Sequence, residues 1–366
     1  MTSVTGETPA ANVPSVSVIV TVWNDPRLAR TLESILAQSL PASEILIADG
    51  GGSAEMRAIA ESFHARDPRV RHVPAPGTIA ETRNVVVRVA RGELVAFLDT
   101  DEVAPPEWLA VLTRPFSDPR IGFTGGPTPA MPGTSRTLTA RYYDGYLRRF
   151  YDRVSRVRPH AIPMGNSAWR RTVFDQLGPL LDLSLSSLGI GSIGEAEDMD
   201  YELRALAAGW QGQYVPEAAV LHDFSDIRFF SFLRKQRRYA AGGFLIWRRY
   251  RATYEASAAR VLPFGILPLA VLAGLVLLPF PATRLLGEWV AIAGAVGLGV
   301  LALALTVQGL RGDRQYPGYR YRALEIFRRW ATMAGAAQGW LILRRTRKAA
   351  AARAGGPVSG STGGKP

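Results

Sequence analysis

Leu94-Val95-Ala96-Phe97-Leu98, closed by Asp99-Thr100-Asp101, is the stretch whose reading decides the fold of this chain. Five apolar residues without a polar break read as a strand buried on both faces, and the acids mark its end. In extended chain, residues i and i+2 point the same way, so the carboxylates of Asp99 and Asp101 can face one hard divalent cation, which in turn binds phosphate oxygens. A lone Asp-x-Asp is more often a solvated turn, because Asp is common where strands end. Its weight therefore comes from its surroundings.

The same pattern repeats toward the N-terminus. Val16, Val18, Val20 and Val22 alternate with Ser17, Ile19 and Thr21, a β-branched run that predicts another strand buried on both faces. Glu44 to Ala48 predicts a second strand, ending in Asp49-Gly50-Gly51-Gly52-Ser53, a turn that lets a ligand approach the backbone closely. Val70 to Val73 predicts a short third strand. Helices fall between them. Asp25-Pro26 supplies an N-cap and a first helical residue ahead of Leu28, Leu32, Ile35 and Leu36, while Ala54 to His64 and Ile79 to Arg91 supply two more. Such alternation predicts an α/β domain with a mostly parallel central sheet, and ligands belong at the carboxyl ends of its strands.

Further along, Glu195, Glu197, Asp198 and Asp200 open a helix whose Met199, Leu203 and Leu206 share a face and whose stop is Gly209. Acids in a first turn complement the helix dipole, a role assigned first to Glu195 or Glu202. Asp198 becomes a catalytic candidate only in company with the other acids.

The chain has 366 residues, a net charge of +12 and no Cys, which removes disulfides, thiolate metal sites and cysteine nucleophiles. The charge is unevenly placed. Nine basic residues and one acid between Arg228 and Arg260 give +8, and ten basic and two acidic between Arg311 and Lys348 give +8, leaving −4 elsewhere. These stretches bracket an apolar region, which points to anionic lipid and argues against nucleic acid. Val261 to Phe280 and Trp289 to Leu310 carry no charge over 20 and 22 residues, enough to cross a hydrocarbon core of about 30 Å. With basic outer flanks and the short connector Pro281 to Glu288, the positive-inside rule predicts a transmembrane helical hairpin with both ends cytoplasmic. Within 311–348, the uncharged centre Trp330 to Leu343 is 14 residues, so an interfacial amphipathic helix is favoured over a re-entrant or spanning one. Residues 1–12 lack the basic start and apolar core of a signal peptide, and the Ala/Gly/Ser-rich 349–366 is expected to be disordered.

Taken in order, the motifs resemble the family 2 glycosyltransferases of GT-A fold. They are Val18 to Asn24, Glu44 to Asp49 with its glycine turn, Arg83-Asn84, Gly92 to Asp101, Gly165-Asn166 with Arg170-Arg171, Glu197 to Arg204 with Gly209, Pro216-Glu217 and His222. The basic segment and hairpin further resemble bacterial exopolysaccharide-type, ExoA-like members. The resemblance implies a nucleotide-sugar donor lying against Thr21, Asp49, Arg83 and Asp99, with Asp99 and Asp101 holding the diphosphate through Mg²⁺ or Mn²⁺. It places His222 as a further metal or phosphate contact and Asp198 as the general base of an inverting transfer. Glu197, Asn166, Gln236 and Arg238 are the acceptor-side candidates. Gln236-Arg237-Arg238-Tyr239 only approximates the Gln-x-x-Arg-Trp signature of processive enzymes, and with two spans a single addition is favoured. The glycine turn is one residue longer than the family's.

The implied layout is a GT-A domain over 13–225, basic juxtamembrane helices over 226–260, two spans over 261–310 and the basic segment over 311–348, at the bacterial inner membrane with the catalytic domain in the cytoplasm. The acceptor is a lipid-linked saccharide or polysaccharide precursor; the alternative is polyprenyl phosphate, charging the lipid carrier itself. A sugar nucleotidyltransferase would want a glycine-rich phosphate loop after the first strand, where Thr21-Val-Trp-Asn24 has none. A transporter would want charge inside its spans. A non-catalytic membrane scaffold would not be expected to keep Asp99, Asp101 and Asp198 together.

Overall fold

The computed structural model describes residues 14–151, 162–181, 196–250, 263–311 and 319–354. Glu195, the N-terminal 1–12 and the tail beyond Ala354 lie outside the described residues. The chain divides into two units, one from Met1–Arg136, Tyr143–Asp182 and Glu197–Ser225, the other from Thr137–Tyr142, Leu183–Ala196 and Asp226–Pro366.

The first unit is built on a seven-stranded sheet, β3-β2-β1-β4-β7-β6-β8 in spatial order. Strands β1 (Val16–Val22), β2 (Glu44–Asp49), β3 (Val70–Pro74) and β4 (Leu94–Asp99) are parallel, as the alternation of elements requires. Period two splits their side chains between two cores. Val16, Val18, Val20 and Val22 meet Leu28, Leu32 and Ile35 of helix α1 (Leu28–Leu36) and Met56 and Phe63 of α2 (Ala54–Arg66) on one face. Ile19, Leu46 and Phe97 meet Val86 of α3 (Ile79–Val89) on the other. Register then sets the site: Thr21 pairs with Asp99 and Val22 with Asp49, so both acids stand on one edge of the sheet.

Past β4 the sheet departs from the parallel pattern. After β5 (Glu102–Val103), α4 (Trp108–Thr113), β6 (Ile121–Gly125) and α5 (Leu138–Phe150), strand β7 (Asn166–Arg170) runs antiparallel to both β4 and β6. The Asp99 amide donates to the Gly165 carbonyl at 3.2 Å, so β7 starts where β4 ends and can only run back. Helices α6 (Arg171–Leu177) and α7 (Glu197–Ala207) follow, then β8 (Gln211–Tyr214), parallel to β6, and β9 (Leu221–His222), antiparallel to β5. Gly209 has φ +95°, the left-handed stop expected of a helix-ending glycine. One boundary differs from the sequence reading. Asp25 does not cap α1: its carboxylate takes the Arg27 amide at 3.0 Å and grips the Arg27 guanidinium, and the helix starts at Leu28.

In the second unit, α8 (Phe229–Arg249) and α11 (Tyr319–Ala354) lie side by side and parallel. Phe229 meets Phe327 edge-on at 5.2 Å, and a Cβ on Gly339 would come within 2.8 Å of the Ala241 carbonyl oxygen. Gly335 and Gly339, four apart, let the backbones touch. The helix is continuous through Ala354, which corrects the expectation of disorder from Ala349; Ala349 to Ala352 are strong helix formers. Helices α9 (Pro263–Leu277) and α10 (Arg284–Arg311) also touch through glycines, a Cβ on Gly287 falling 2.7 Å from the Gly274 carbonyl oxygen. Arg284–Leu301 is long and apolar enough to cross a membrane and is only 11% buried, whereas the 15 residues of α9 fall short of the about 20 needed.

Glu325 on α11 accepts from Arg328 at 2.7 Å, from Arg329 at 2.6 Å and from the Tyr142 hydroxyl. Burial raises its pKa, but these partners outweigh burial and hold it at about 2. A folded value below the unfolded one gives stability that is present above about pH 4.5 and lost as pH falls toward 2. Glu325→Gln should remove that acid-dependent portion, at most about 3 kcal/mol. Thermal melts of the full chain in detergent at pH 7 and pH 3 check it: the gap between variant and wild type should shrink at the lower pH.

Candidate active site

Asp49, at the end of β2, is spent on its own turn. One carboxylate oxygen accepts the Gly51 and Gly52 amides at 3.0 and 2.8 Å, and the other meets His72 Nε2 of β3 at 3.0 Å. Gly52 sits at φ +70°, which closes the turn at no steric cost. Thr21, on the neighbouring strand, is buried, and its carbonyl accepts the Thr100 hydroxyl. The Asp99–Asp101 turn is held from the other side by Thr31 of α1, whose hydroxyl lies 2.6 Å from the Thr100 carbonyl and 2.7 Å from that of Glu102.

Arg83 on α3 is 3% exposed and points at the same edge. Its guanidinium donates to Glu197 at 3.0 Å, reaches Asp99 at 3.5 Å and lies over the Phe97 ring at 5.8 Å. The Asp99 side chain keeps 39% of its surface exposed, so it faces both Arg83 and the outside. Beside Glu197, in the first turn of α7, stands half-buried Asp198, one of whose oxygens accepts the Met199 amide at 2.7 Å. Burial pushes the Asp198 carboxyl above its usual range; nearby Asp99 adds to this, and Arg83 opposes it. Glu202, taken in the sequence as a dipole acid, is instead 1% exposed one turn along, and burial with the Asp198 charge raises it well above a normal carboxyl. It lies past the first turn of α7, in the buried second turn, and not at the helix N-terminus.

The β5–β9 pairing sets Glu102 opposite His222. His222 Nε2 lies 3.0 Å from Asp101 and Nδ1 3.4 Å from Glu102. Burial alone would lower the imidazole, but Asp101 and Glu102 outweigh it and push it up to about 10. Burial raises Glu102 to about 7, with His222 pulling it down. Among the described residues no three His, Asp or Glu side chains converge closely enough to hold a metal by themselves. The donor types fit an ion of the Mg²⁺ or Mn²⁺ kind all the same, since such ions are bound by one or two carboxylates and completed by substrate phosphates and water. His222 would have to give up its proton to join them.

The structure thus brings Arg83, Asp99, Glu197 and Asp198 together, and Asp101 with His222. Asn166 lies elsewhere: it is 0% exposed, its carbonyl oxygen accepts the Trp108 indole at 2.8 Å, and its amide donates to Pro127 and Ala218 at 3.1 and 2.8 Å. Gln236, buried, and Arg238, half-buried, are on α8 in the second unit. Sequence reading missed His72, Thr31 and Glu102. Glu102 adjoins the Asp99–Asp101 turn and could have been suspected; Thr31 and His72 carry no sequence signal of their roles.

Residues 14–242 match the family described as "Glycosyltransferase like family 2". An N-acetylglucosaminyltransferase of Rhizobium meliloti is 28% identical over 243 residues, 63% of this chain and 56% of that protein. The succinoglycan biosynthesis protein ExoM of the same species is 26% identical over 235 residues, 62% of this chain and 72% of ExoM. The chain spans less than two thirds of the length of most curated relatives it matches. Among solved structures, the mannosyltransferase PcManGT from Pyrobaculum calidifontis, in complex with GDP-Man and Mn²⁺, superposes with a TM-score of 0.57 at 18% identity, over 89% of this chain and 87% of that one. The α/β unit is GT-A-like.

Gly165 is fixed by contact and not by its backbone angle, because a Cβ there would run into the Asp99 carboxylate. Gly165→Ala should cost about 1–3 kcal/mol, and much of that should vanish in an Asp99→Ala background. A double-mutant cycle of denaturation free energies measures the coupling; a value below about 0.5 kcal/mol would mean the methyl is accommodated elsewhere.

Proposed function

The chain belongs to glycosyltransferase family 2, and from that premise we propose an inverting, metal-dependent transfer of a sugar from a nucleotide sugar, UDP-linked in our reading, to a lipid-linked or polysaccharide-precursor acceptor at the cytoplasmic face of a bacterial inner membrane. The observation that carries the reading is the buried Arg83, which ties the end of β4 to the start of α7 and so sets Asp198 near the exposed Asp99. The exopolysaccharide context follows the succinoglycan protein among the relatives.

In this reading the nucleotide lies along the edge formed by Thr21, Asp49 and Asp99, with the Asp49 turn presenting backbone and not a spare carboxylate. Asp99, Asp101 and a deprotonated His222 would hold Mg²⁺ or Mn²⁺, whose chemistry is to offset charge on the departing diphosphate. Asp198 takes the proton of the acceptor hydroxyl as its oxygen bonds to the anomeric carbon and the bond to the diphosphate breaks, inverting that carbon. Its raised pKa makes it a stronger base than an exposed Asp.

Membrane attachment rests on α10, whose Leu285, Trp289, Val296 and Val300 face outward. Two crossings are favoured over one by the parallel contact of α8 and α11, the second being supplied by the 20-residue uncharged stretch Val261 to Phe280, of which α9 is the helical part described. Helices α8 and α11 are separated in sequence by the apolar region, and only an even number of crossings returns the chain to the side it left. The basic charge at both flanks agrees with a cytoplasmic side.

Asp198→Asn should lower kcat about 10²-fold or more with donor affinity little changed, and the acid limb of the kcat/KM profile should sit above the range of an ordinary Asp and vanish in the variant. Turnover of UDP-, GDP- and dTDP-sugars with membrane lipid extract, paired with calorimetry of donor binding, provides the readout; loss of donor binding with normal turnover would move Asp198 to the donor site.

Asp101→Ala should abolish turnover and weaken donor binding. Full activity of that variant in EDTA would remove the metal assignment.

A further inference from the structure

On the same carboxyl edge, away from Asp99, lies a cavity of about 320 Å³ lined by Pro127, Thr128, Pro129, Tyr151, Tyr214 and Pro216, with Arg148 beside them. We propose that this cavity is a subsite for one neutral pyranose ring of the acceptor, a deeper statement that rests on the glycosyl-transfer reading above. The placement comes from the sheet. β6 and β8 run parallel with Gly125 opposite Tyr214, and β6 runs in the direction of β4 because both are antiparallel to β7, so the cavity opens at the strand ends that carry the acids. Its wall is also joined to the candidate active site by hydrogen bonds. The Pro129 carbonyl accepts the His222 amide at 2.9 Å and the Pro127 carbonyl accepts the Val220 amide at 3.1 Å.

The lining selects the ligand class. Tyr151 and Tyr214 are parallel within 13° at 6.5 Å, and Phe150 stands edge-on to Tyr151 at 5.7 Å, so the aromatic wall is fixed before anything binds. Three prolines add rigid apolar surface. Flat aromatic and proline faces suit the C–H face of a sugar, and the Thr128 and Tyr151 hydroxyls, 3.2 Å apart, can meet its hydroxyl edge. Burial keeps the Tyr151 hydroxyl protonated, with Glu102 adding to the effect. A phosphate is disfavoured, because the charge of Arg148 is already paired with Asp144, whose two oxygens accept from its Nε at 3.1 Å. One of these hydroxyls donates to the other, so a lipid chain would leave only the second proton to be answered, and a sugar hydroxyl can accept it. The cavity is also small for a nucleotide, being at the low end of ligand pockets.

Asn166 takes its place here as a positioning residue. From inside the core its amide clamps the Pro127 and Ala218 carbonyls, one from each of the two segments that form the walls. The cavity is thereby held open in advance, which lowers the ordering cost of binding.

Saturation-transfer NMR on the full chain in detergent, with the methyl glycosides of glucose, galactose, mannose and N-acetylglucosamine as probes, tests the subsite without requiring catalysis. At least one probe should contact wild type. Tyr214→Ala should weaken that contact tenfold or more, Tyr214→Phe should keep it within about threefold because the ring face remains, and Thr128→Val should weaken it severalfold. Circular dichroism checks each fold, and Thr128→Val carries the test if Tyr214→Ala does not fold. No probe bound by wild type, or binding unchanged in Tyr214→Ala and in Thr128→Val, overturns the subsite. Binding that depends on Tyr214 in a chain that turns over no nucleotide sugar would leave the saccharide site standing and remove the transfer reading. Turnover to a saccharide acceptor with an unchanged KM in Tyr214→Ala would do the reverse.

Discussion

A buried cation has to be answered by charge, and on this sheet edge that requirement falls on Arg83. A guanidinium at 3% exposure loses several kcal/mol of hydration, which only well-placed anions can offset. Its partners, Asp99 and Glu197, are supplied by the end of β4 and the start of α7, 16 and 114 residues away. The pairing therefore brings three elements to one point. It also sorts the acids: Glu197 is consumed in the pair, while its neighbour Asp198 is left half-buried with no cation among the described residues in hydrogen-bonding contact, and its carboxyl is raised.

The turn that follows β4 is held with similar economy by neutral groups. Thr31 reaches the carbonyls of Thr100 and Glu102, and Thr100 reaches back to Thr21. These side chains are buried and uncharged, so their hold on the turn does not itself depend on the charge that Asp99 and Asp101 meet. Position is thus separated from electrostatics, which would suit the charged donor of the proposed function.

Much of this was legible in the chain because periodicity reports burial. The runs at Val16–Val22 and Leu94–Asp99 announce strands covered on both faces, and parallel pairing then puts Asp49 and Asp99 on one edge. The reversal at β7 was not legible, since Asn166–Arg170 looks the same in either direction and only its junction at Gly165 decides. Asn166 was an acceptor-side candidate through the family motif it belongs to, and a motif gives no sign that its amide is used up inside the core. Glu202 was misread because helical position shows that an acid can serve the dipole, but not that the second turn is buried. In the second unit, the helix contacts run through Gly274, Gly287, Gly335 and Gly339, and a glycine in sequence does not name the backbone it will meet.

Under the proposed reading, the sign of the charge on the edge makes its own demand. Among the described residues, Asp99, Asp101, Glu102 and Asp198 gather there, while the cations beside them, Arg83 and His222, are each already matched by carboxylates. A nucleotide diphosphate brought to this edge would meet like charge in a partly desolvated setting, where repulsion is stronger than in water. Shape complementarity cannot remove that cost. A divalent ion held by Asp99 and Asp101 would remove it, and would also favour the ionised forms of those two acids. Charge thus reaches the same requirement from the electrostatics of this chain that the donor types reach from coordination chemistry.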